Sequence, residues 1–420
     1  MKYLLFLFYL LVFVWMLRRI AFFRNSGLTQ RQVQIVFLVK VFAGIFYGWV
    51  GIFYSMQGQL VDTWWLHIQG LKEGPLLRSD PGSFFAELFR NNYKHGFGRF
   101  LSSRDSWWND LHTNLFIKLL ALLNLLSGGF YFVNVLFFAF VSMIGSVGLF
   151  RVFHQIYPDR KWAVFAGSFL VPSYLFWTSG IYRDALVALA LGLILYCFYS
   201  GLRKGWTARY LATLFSGLLL LLVFRNYLLV VLLPALVAWW VAARSRRHPM
   251  LVCAAVYAGY LVLFFNLRYL VPALDFPRVA VEKQEDFFTL IGNSIIPAPK
   301  LEPTFLSFLA NGPHALELTL LRPYPWDVYN FFVLVSCLET YGLLALFGYW
   351  LVRRNRGQPL EPFLAFSVFF ALSLFLMIGF TVNFLGAMVR YRSLVLPLLV
   401  TPMLCSLAWP KRQKANALVK

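Results

Sequence analysis

The stretch FWTSGIYRDALVALALGL, residues 176–193, sets Arg183 beside Asp184 inside an otherwise apolar run. Similar intrusions recur at Arg225, Arg268 and Arg322, and at Arg390 with Arg392. Arginine stays charged at any physiological pH, and its planar fork donates two hydrogen bonds at once to phosphate oxygens. Several such forks meeting at one membrane face would hold the phosphate or pyrophosphate of a lipid carrier. Taken singly, each arginine has a plainer reading, snorkelling to headgroups or pairing with a nearby acid. An unpaired cation inside a span costs about 2.5–3.5 kcal/mol on insertion scales, so the set as a whole points to a wet cavity lined by Arg183, Asp184, Arg225, Arg322, Arg390 and Arg392.

The carboxylate side of such chemistry begins at VDTWWLHIQG, directly after an apolar run, with Asp62 followed by His67. An Asp at the membrane surface, helped by a neighbouring His, would take the proton from a sugar hydroxyl as it attacks an anomeric carbon. The alternative is that Asp62 only caps the helix that follows it. Asp105 and Asp110 read more naturally as a cap and a wet turn. Trp64, Trp65, Trp107 and Trp108 would stack on sugar faces or anchor at the interface. His67, His95, His112 and His314 show no metal-motif spacing; a divalent metal is compatible with the sequence but not indicated by it. Glu339, in VSCLETYGLL, falls mid-span, where it must be paired, protonated or wet, and it is the residue a proton relay would use.

These residues need elements to position them, and composition says which. The chain is 60% hydrophobic and 19% aromatic with only 13% charged residues, too little polar surface for a water-soluble globule. Its apolar residues come in runs of about 17 to 25, helix lengths for a bilayer. The expected fold is all-α, a polytopic transmembrane protein of about eleven spans in a single membrane domain, residues 1–420. The spans are expected at 3–17, 33–54, 130–150, 162–178, 183–200, 208–224, 227–243, 250–271, 329–352, 361–380 and 385–409. The net charge of +21 excludes little by itself, but the basic residues cluster in short turns between apolar runs, which is a topology signal and argues against nucleic acid.

Placing those clusters on the cytoplasmic side sets the amino terminus outside and the carboxyl terminus inside. Residues 55–129 and 272–328 become two structured outer loops, which hold thirteen of the seventeen acidic residues. LFIKLLALLNLL, residues 115–126, is too short to cross, and Asn114, Lys118 and Asn124 recur on one side of it, as in an interfacial amphipathic helix. A helix capped by Asp80 ahead of Pro81 and another starting at Asp105 are expected in the same loop. Cys197, Cys253, Cys337 and Cys405 all lie in apolar runs and read as small core residues.

VDTWWLHIQG, DSWWNDLHTNLFIKLLALLNLLSGG and SGIYRDAL together resemble the GT-C superfamily of membrane glycosyltransferases. That resemblance implies a large first outer loop with interfacial helices, an Asp near its start acting as base, here Asp62, and a polyprenyl-phosphate-linked sugar donor. Many members carry a second acid beside the catalytic Asp, where this sequence has Thr63. LLRPYPWD (320–327) and NFLGAMVRYRSLVLPLL (383–399) are similar to bacterial envelope-polysaccharide membrane proteins of the O-antigen polymerase-like kind. The expectation is therefore a glycosyltransferase of the bacterial inner membrane, working on its periplasmic face, with a glycan or lipid-linked acceptor and membrane lipid as the other partners. Two alternatives stay open: an oligosaccharide repeat-unit polymerase, and a lipid-linked sugar transporter or flippase using Glu339.

Overall fold

The computed structural model describes residues 1–56, 61–100, 106–292, 294–354 and 360–407. Among them there are helices and two isolated β-bridges, and no strand. The first half comprises α1 (Lys2–Arg19), α2 (Ala21–Arg24), α3 (Gln30–Met56), α4 (Asp62–Lys72), α5 (Gly74–Ser79), α6 (Pro81–Ala86), α7 (Trp107–Ser127), α8 (Tyr131–Ile156), α9 (Lys161–Phe169) and α10 (Pro172–Trp177). The second half comprises α11 (Arg183–Lys204), α12 (Ala208–Phe224), α13 (Asn226–Arg244), α14 (Pro249–Leu270), α15 (Phe276–Phe288), α16 (Phe305–Leu320), α17 (Phe331–Arg353), α18 (Pro362–Thr381), α19 (Leu385–Ser393) and α20 (Leu396–Ser406).

Seven of these, α3, α8, α11, α13, α14, α17 and α18, are long and apolar enough to cross a membrane, and α19 with α20, bent by 58° at their break, pass the same test only when taken together, as a broken span or a re-entrant loop. These helices give the chain the character of a multi-pass membrane protein. The other three expected spans coincide with α1, with the α9–α10 pair and with the 17-residue α12. The α9–α10 pair is interrupted at Leu170 and Val171, because Pro172 has no N–H to continue the helix and biases the residue before it toward extended backbone. At about 1.5 Å per residue, α12 is only some 26 Å long, slightly under the hydrocarbon thickness.

α8 and α11 form the centre. Both are buried along most of their length, and their backbones touch: a Cβ on Gly145 would stand 2.1 Å from the Ala188 carbonyl oxygen, and one on Gly192 would stand 2.0 Å from that of Gly145. Small residues at such a crossing let helices approach where no hydrophobic effect drives them together. The approach fixes the height of α11 and hence of Asp184 at its first turn. A single large cluster, including Phe13, Phe37, Phe140, Phe150, Trp239, Phe363 and Phe366, fills the space around this pair.

The first loop segment folds as expected in part. Asp80 caps α6, its Oδ1 accepting from the Ser83 N–H at 3.0 Å. Asp105 lies outside the described residues, and the helix after it begins at Trp107. α7 runs for 21 residues rather than twelve, and of its polar side Lys118 and Asn124 face protein while Asn114 stays exposed. Lys118 is buried between Glu73 and Glu87, 2.6 Å from each, and Asn124 accepts from Asn134, while Leu122, Leu125 and Leu126 are exposed. Buried polar groups need partners, and here Glu73, Glu87 and Asn134 supply them for Lys118 and Asn124, which departs from the interfacial amphipathic helix expected from the sequence. The four cysteines are free and buried in apolar surroundings.

The α8–α11 contact predicts a glycine-specific effect on stability. Gly145→Ala should lower the melting temperature of the purified protein, since overpacking against backbone costs about 1–3 kcal/mol. Gly259→Ala, in α14 with open space around it, should leave the melting temperature unchanged or raise it. Equal behaviour of the two variants in a thermal-melt assay would contradict the packing described.

Candidate functional site

Three non-helical junctions meet at one end of the bundle. The 178–182 turn leads into α11, Arg225 interrupts the passage from α12 to α13, and Val382 to Phe384 precede α19. Gly180 allows the first turn to press on α3, where a Cβ would fall 2.1 Å from the Tyr47 ring. Thr63 ties α4 to the same turn: its hydroxyl donates to the Ile181 carbonyl at 2.9 Å and shares a hydrogen bond with the Tyr131 hydroxyl at 2.7 Å. Lys40 of α3, fully buried, donates to Thr178 Oγ1 at 3.1 Å.

Those anchors bring Asp62 to the site. Asp62 is not the cap of its own helix, since Val61 holds that position, and its carboxylate is free to face Tyr182 and Arg390. The Tyr182 hydroxyl donates to Asp62 Oδ2 at 2.9 Å, and Arg390 Nη1 lies 3.8 Å from the same oxygen. The side chain of Asp62 nevertheless stays 66% exposed, so it is reachable. Asp184, by contrast, is wholly buried. Arg225 Nη2 donates to its Oδ1 at 3.0 Å, and Arg390 Nε lies 3.5 Å from Oδ2, at ion-pair distance without hydrogen-bond alignment. Aromatic rings complete the walls: the Arg390 guanidinium lies 4.6 Å from the Tyr182 ring centre and 5.0 Å from that of Tyr391, and Arg225 lies 4.7 Å from Tyr391. Arg225 also donates to the Tyr227 hydroxyl at 3.1 Å.

Arg183 stands over the Tyr182 ring, and His112 of α7 and Lys283 of α15 come within electrostatic range of both Arg183 and Arg225. Arg183, Arg225, Lys283 and Arg390 thus gather around Asp62, Asp184 and Asp286, with positive charge in excess. Among the described residues, the Nε atoms of Arg183, Arg225 and Arg390 are buried with no hydrogen-bond partner. Buried donors without acceptors are costly, so this cationic cluster, termed the chamber, favours additional negative charge beside it. Burial is the main cause that holds Lys283 below the usual lysine range.

The remaining candidates fall elsewhere. Arg392, only two residues from Arg390, projects to another face and is fully engaged, donating to the Thr319 and Arg322 carbonyls at 2.7 Å and to Thr340 Oγ1. Arg322 pairs with Asp327 and Glu317, and Arg268 with Asp275 and the Pro303 carbonyl. His67 is buried edge-on against the Tyr131 and Trp64 rings and does not accompany Asp62. Glu339 accepts from the Ser173 N–H at 2.9 Å, at the start of α10. Trp64 stacks on Tyr131 and donates to the Gly48 carbonyl, and Trp107 and Trp108 donate to the Leu88 and Phe97 carbonyls, so their indole N–H groups are occupied within the protein. No group of three or more His, Cys, Asp or Glu among the described residues could hold a metal ion.

Sequence reasoning missed Tyr182, Tyr227, Tyr391 and Lys283, and weighed His112 only for metal-motif spacing. A signal for the tyrosines was present: each arginine stretch carries one within two residues, in IYRD, RNY and RYR. Lys283 and His112 had none, because they arrive from loop helices whose docking is a tertiary matter.

Two predictions follow from the chamber. Arg225→Gln leaves the buried Asp184 with Arg390 alone and should cost about 3 kcal/mol, much of it recovered in Arg225→Gln/Asp184→Asn, as read by thermal melts. Burial, reinforced by Arg183, Arg225 and Lys283, lowers His112 from 6.5 to about 3, and burial lowers His67 to about 4. The unfolded chain therefore takes up these protons first, so the stability they supply is complete above about pH 6.5 and is lost as pH falls toward 3–4. His112→Gln should flatten that acid limb of a melting-temperature profile; an unchanged limb would remove His112 as its source.

No family model, curated protein or solved structure matches this chain.

Proposed function

We propose that the chain is a membrane glycosyltransferase that takes a sugar from a polyprenyl-phosphate-linked donor and passes it to a hydroxyl of a glycan or lipid-linked acceptor. One observation carries the reading: a reachable carboxylate, Asp62, lies beside a buried cluster of arginines whose Nε donors are unpaired. In this reaction Asp62 accepts the proton of the acceptor hydroxyl as its oxygen bonds to the anomeric carbon. The bond from that carbon to the phosphate oxygen breaks, and its electron pair stays on the phosphate. Arg225 and Arg390, with Arg183 and Lys283 beside them, stabilise the charge growing there; in a water-poor site this is the larger contribution to rate. Tyr182 holds Asp62 in register by its hydrogen bond to Oδ2.

The same reading gives a direction across the membrane. α11 starts in the chamber at Arg183 and ends at Arg203 and Lys204, and α13 starts beside Arg225 and ends at Arg244. The chamber and the basic turns thus sit at opposite ends of the bundle. With basic turns cytoplasmic, the chamber opens on the outer face, which in a bacterial inner membrane is the periplasmic one.

Asp62→Asn in purified, lipid-reconstituted protein should lower kcat with a polyprenyl-phosphate sugar by about 10²–10⁴, the range for loss of a general base, with little change in KM. Unchanged turnover would remove Asp62 as the base. A repeat-unit polymerase would instead require the pyrophosphate-linked donor, so the same assay run with both donors separates the two readings.

A further inference from the structure

At the other side of α19 lies a large cavity, about 1230 Å³, with no part in the chamber. It is a groove between α17 and the face formed by α18 and α20, with Met250 of α14 along one edge. α17 stands away from the bundle: of its 23 residues only Cys337 and Thr340 are buried. The groove runs from Thr340 and Arg392 to Arg354, fourteen residues further along, or about 21 Å at helical rise. That exceeds half of a hydrocarbon core of about 30 Å, the depth of one leaflet. Leu343, Leu344 and Phe347 line one wall, and Leu364, Phe375 and Leu399 line the opposite one.

The two ends differ. At the α19 end Arg392 is consumed by its three internal hydrogen bonds, so it offers little to a ligand. The other end, among the basic turns, is a polar mouth holding Arg160, Arg354, Asp159 and Glu361. Arg203 pairs with Glu361, which removes one of the two carboxylates from competition. Arg354, exposed at the end of α17, lies 5.0 Å from the centre of the Trp350 ring. A long apolar slot ending in two arginines at the basic end of the bundle has the polarity of an acyl chain with an anionic head.

We propose that this groove binds one anionic phospholipid, an acyl chain lying between α17 and the α18–α20 face and the phosphate held by Arg160 and Arg354. The lipid fills the space that α17 does not pack against and ties that helix to the bundle. This site is separate from the chamber, and its occupant is a component of the bilayer rather than the sugar donor.

Native mass spectrometry of the purified full-length protein, with phosphatidylglycerol or phosphatidylcholine added to the detergent, tests it. A single retained phosphatidylglycerol, preferred by about tenfold, is expected from two cations near the headgroup. Arg160→Gln/Arg354→Gln should abolish the preference, and Leu344→Trp, which fills the slot without touching the charges, should abolish retention of either lipid. Equal retention of both lipids by the unaltered protein, a preference that survives the double arginine change, or retention in Leu344→Trp would each overturn the proposal. Displacement of the bound lipid by a polyprenyl phosphate would also overturn it, because the groove would then belong to the donor.

Discussion

Asp184 has no contact with solvent, and it lies at ion-pair distance from two arginines that are 165 residues apart in the chain, Arg225 and Arg390. A carboxylate taken out of water is tolerated only when cations and donors surround it, and an arginine inside a membrane protein has the mirror-image requirement. Satisfying both forces the first turn of α11, the α12–α13 junction and α19 to one point. Everything that defines the chamber follows from that convergence: the stacking of Tyr182 and Tyr391 on the guanidinium groups, the reach of Arg390 to Asp62, and the surplus of positive charge that Asp184 alone does not neutralise.

The elements that meet there are held by polar contacts of unusual depth. α10, six residues long, is gripped from two sides. Lys40 of α3 donates to Thr178 just past its end, and Glu339 of α17 accepts from Ser173 at its start. Glu339, the candidate for a proton relay in a transport reading, thus serves as the acceptor for an otherwise orphan helix N–H. Thr63 does comparable work for α4. The residue that departs from the two-acid pattern of the GT-C resemblance is the one that fastens Asp62 to the Tyr182 turn.

α19 separates two environments with opposite physical demands. Arg390, on one face, lies among Tyr391, Asp62 and Asp184 and keeps a buried Nε without a hydrogen-bond partner. Arg392, on another, is saturated by protein acceptors and closes an apolar groove. The two arginines thus differ in hydrogen-bond satisfaction, complete through backbone and hydroxyl acceptors at Arg392 and incomplete at the Nε of Arg390.

Hydropathy and length, which are local properties, made the helical, membrane-crossing character of the chain legible in its sequence, along with the burial of the cysteines and the Asp80 cap. The need of a charge in an apolar run for partners also marked Arg183, Asp184, Arg225 and Arg390 as residues that must meet something. What they meet was decided by tertiary structure. The sequence grouped Arg390 with Arg392, but two residues of helix turn a side chain by about 200°, so the pair faces different neighbours. It read α7 as a surface helix because amphipathic periodicity reports that one side is polar, not whether water or protein satisfies that side. His67 likewise shares a helix with Asp62 yet points into rings, whereas Lys283 and His112 reach the site from distant helices. Partner identity is a long-range property, fixed by which helices pack together, and no window of sequence contains it.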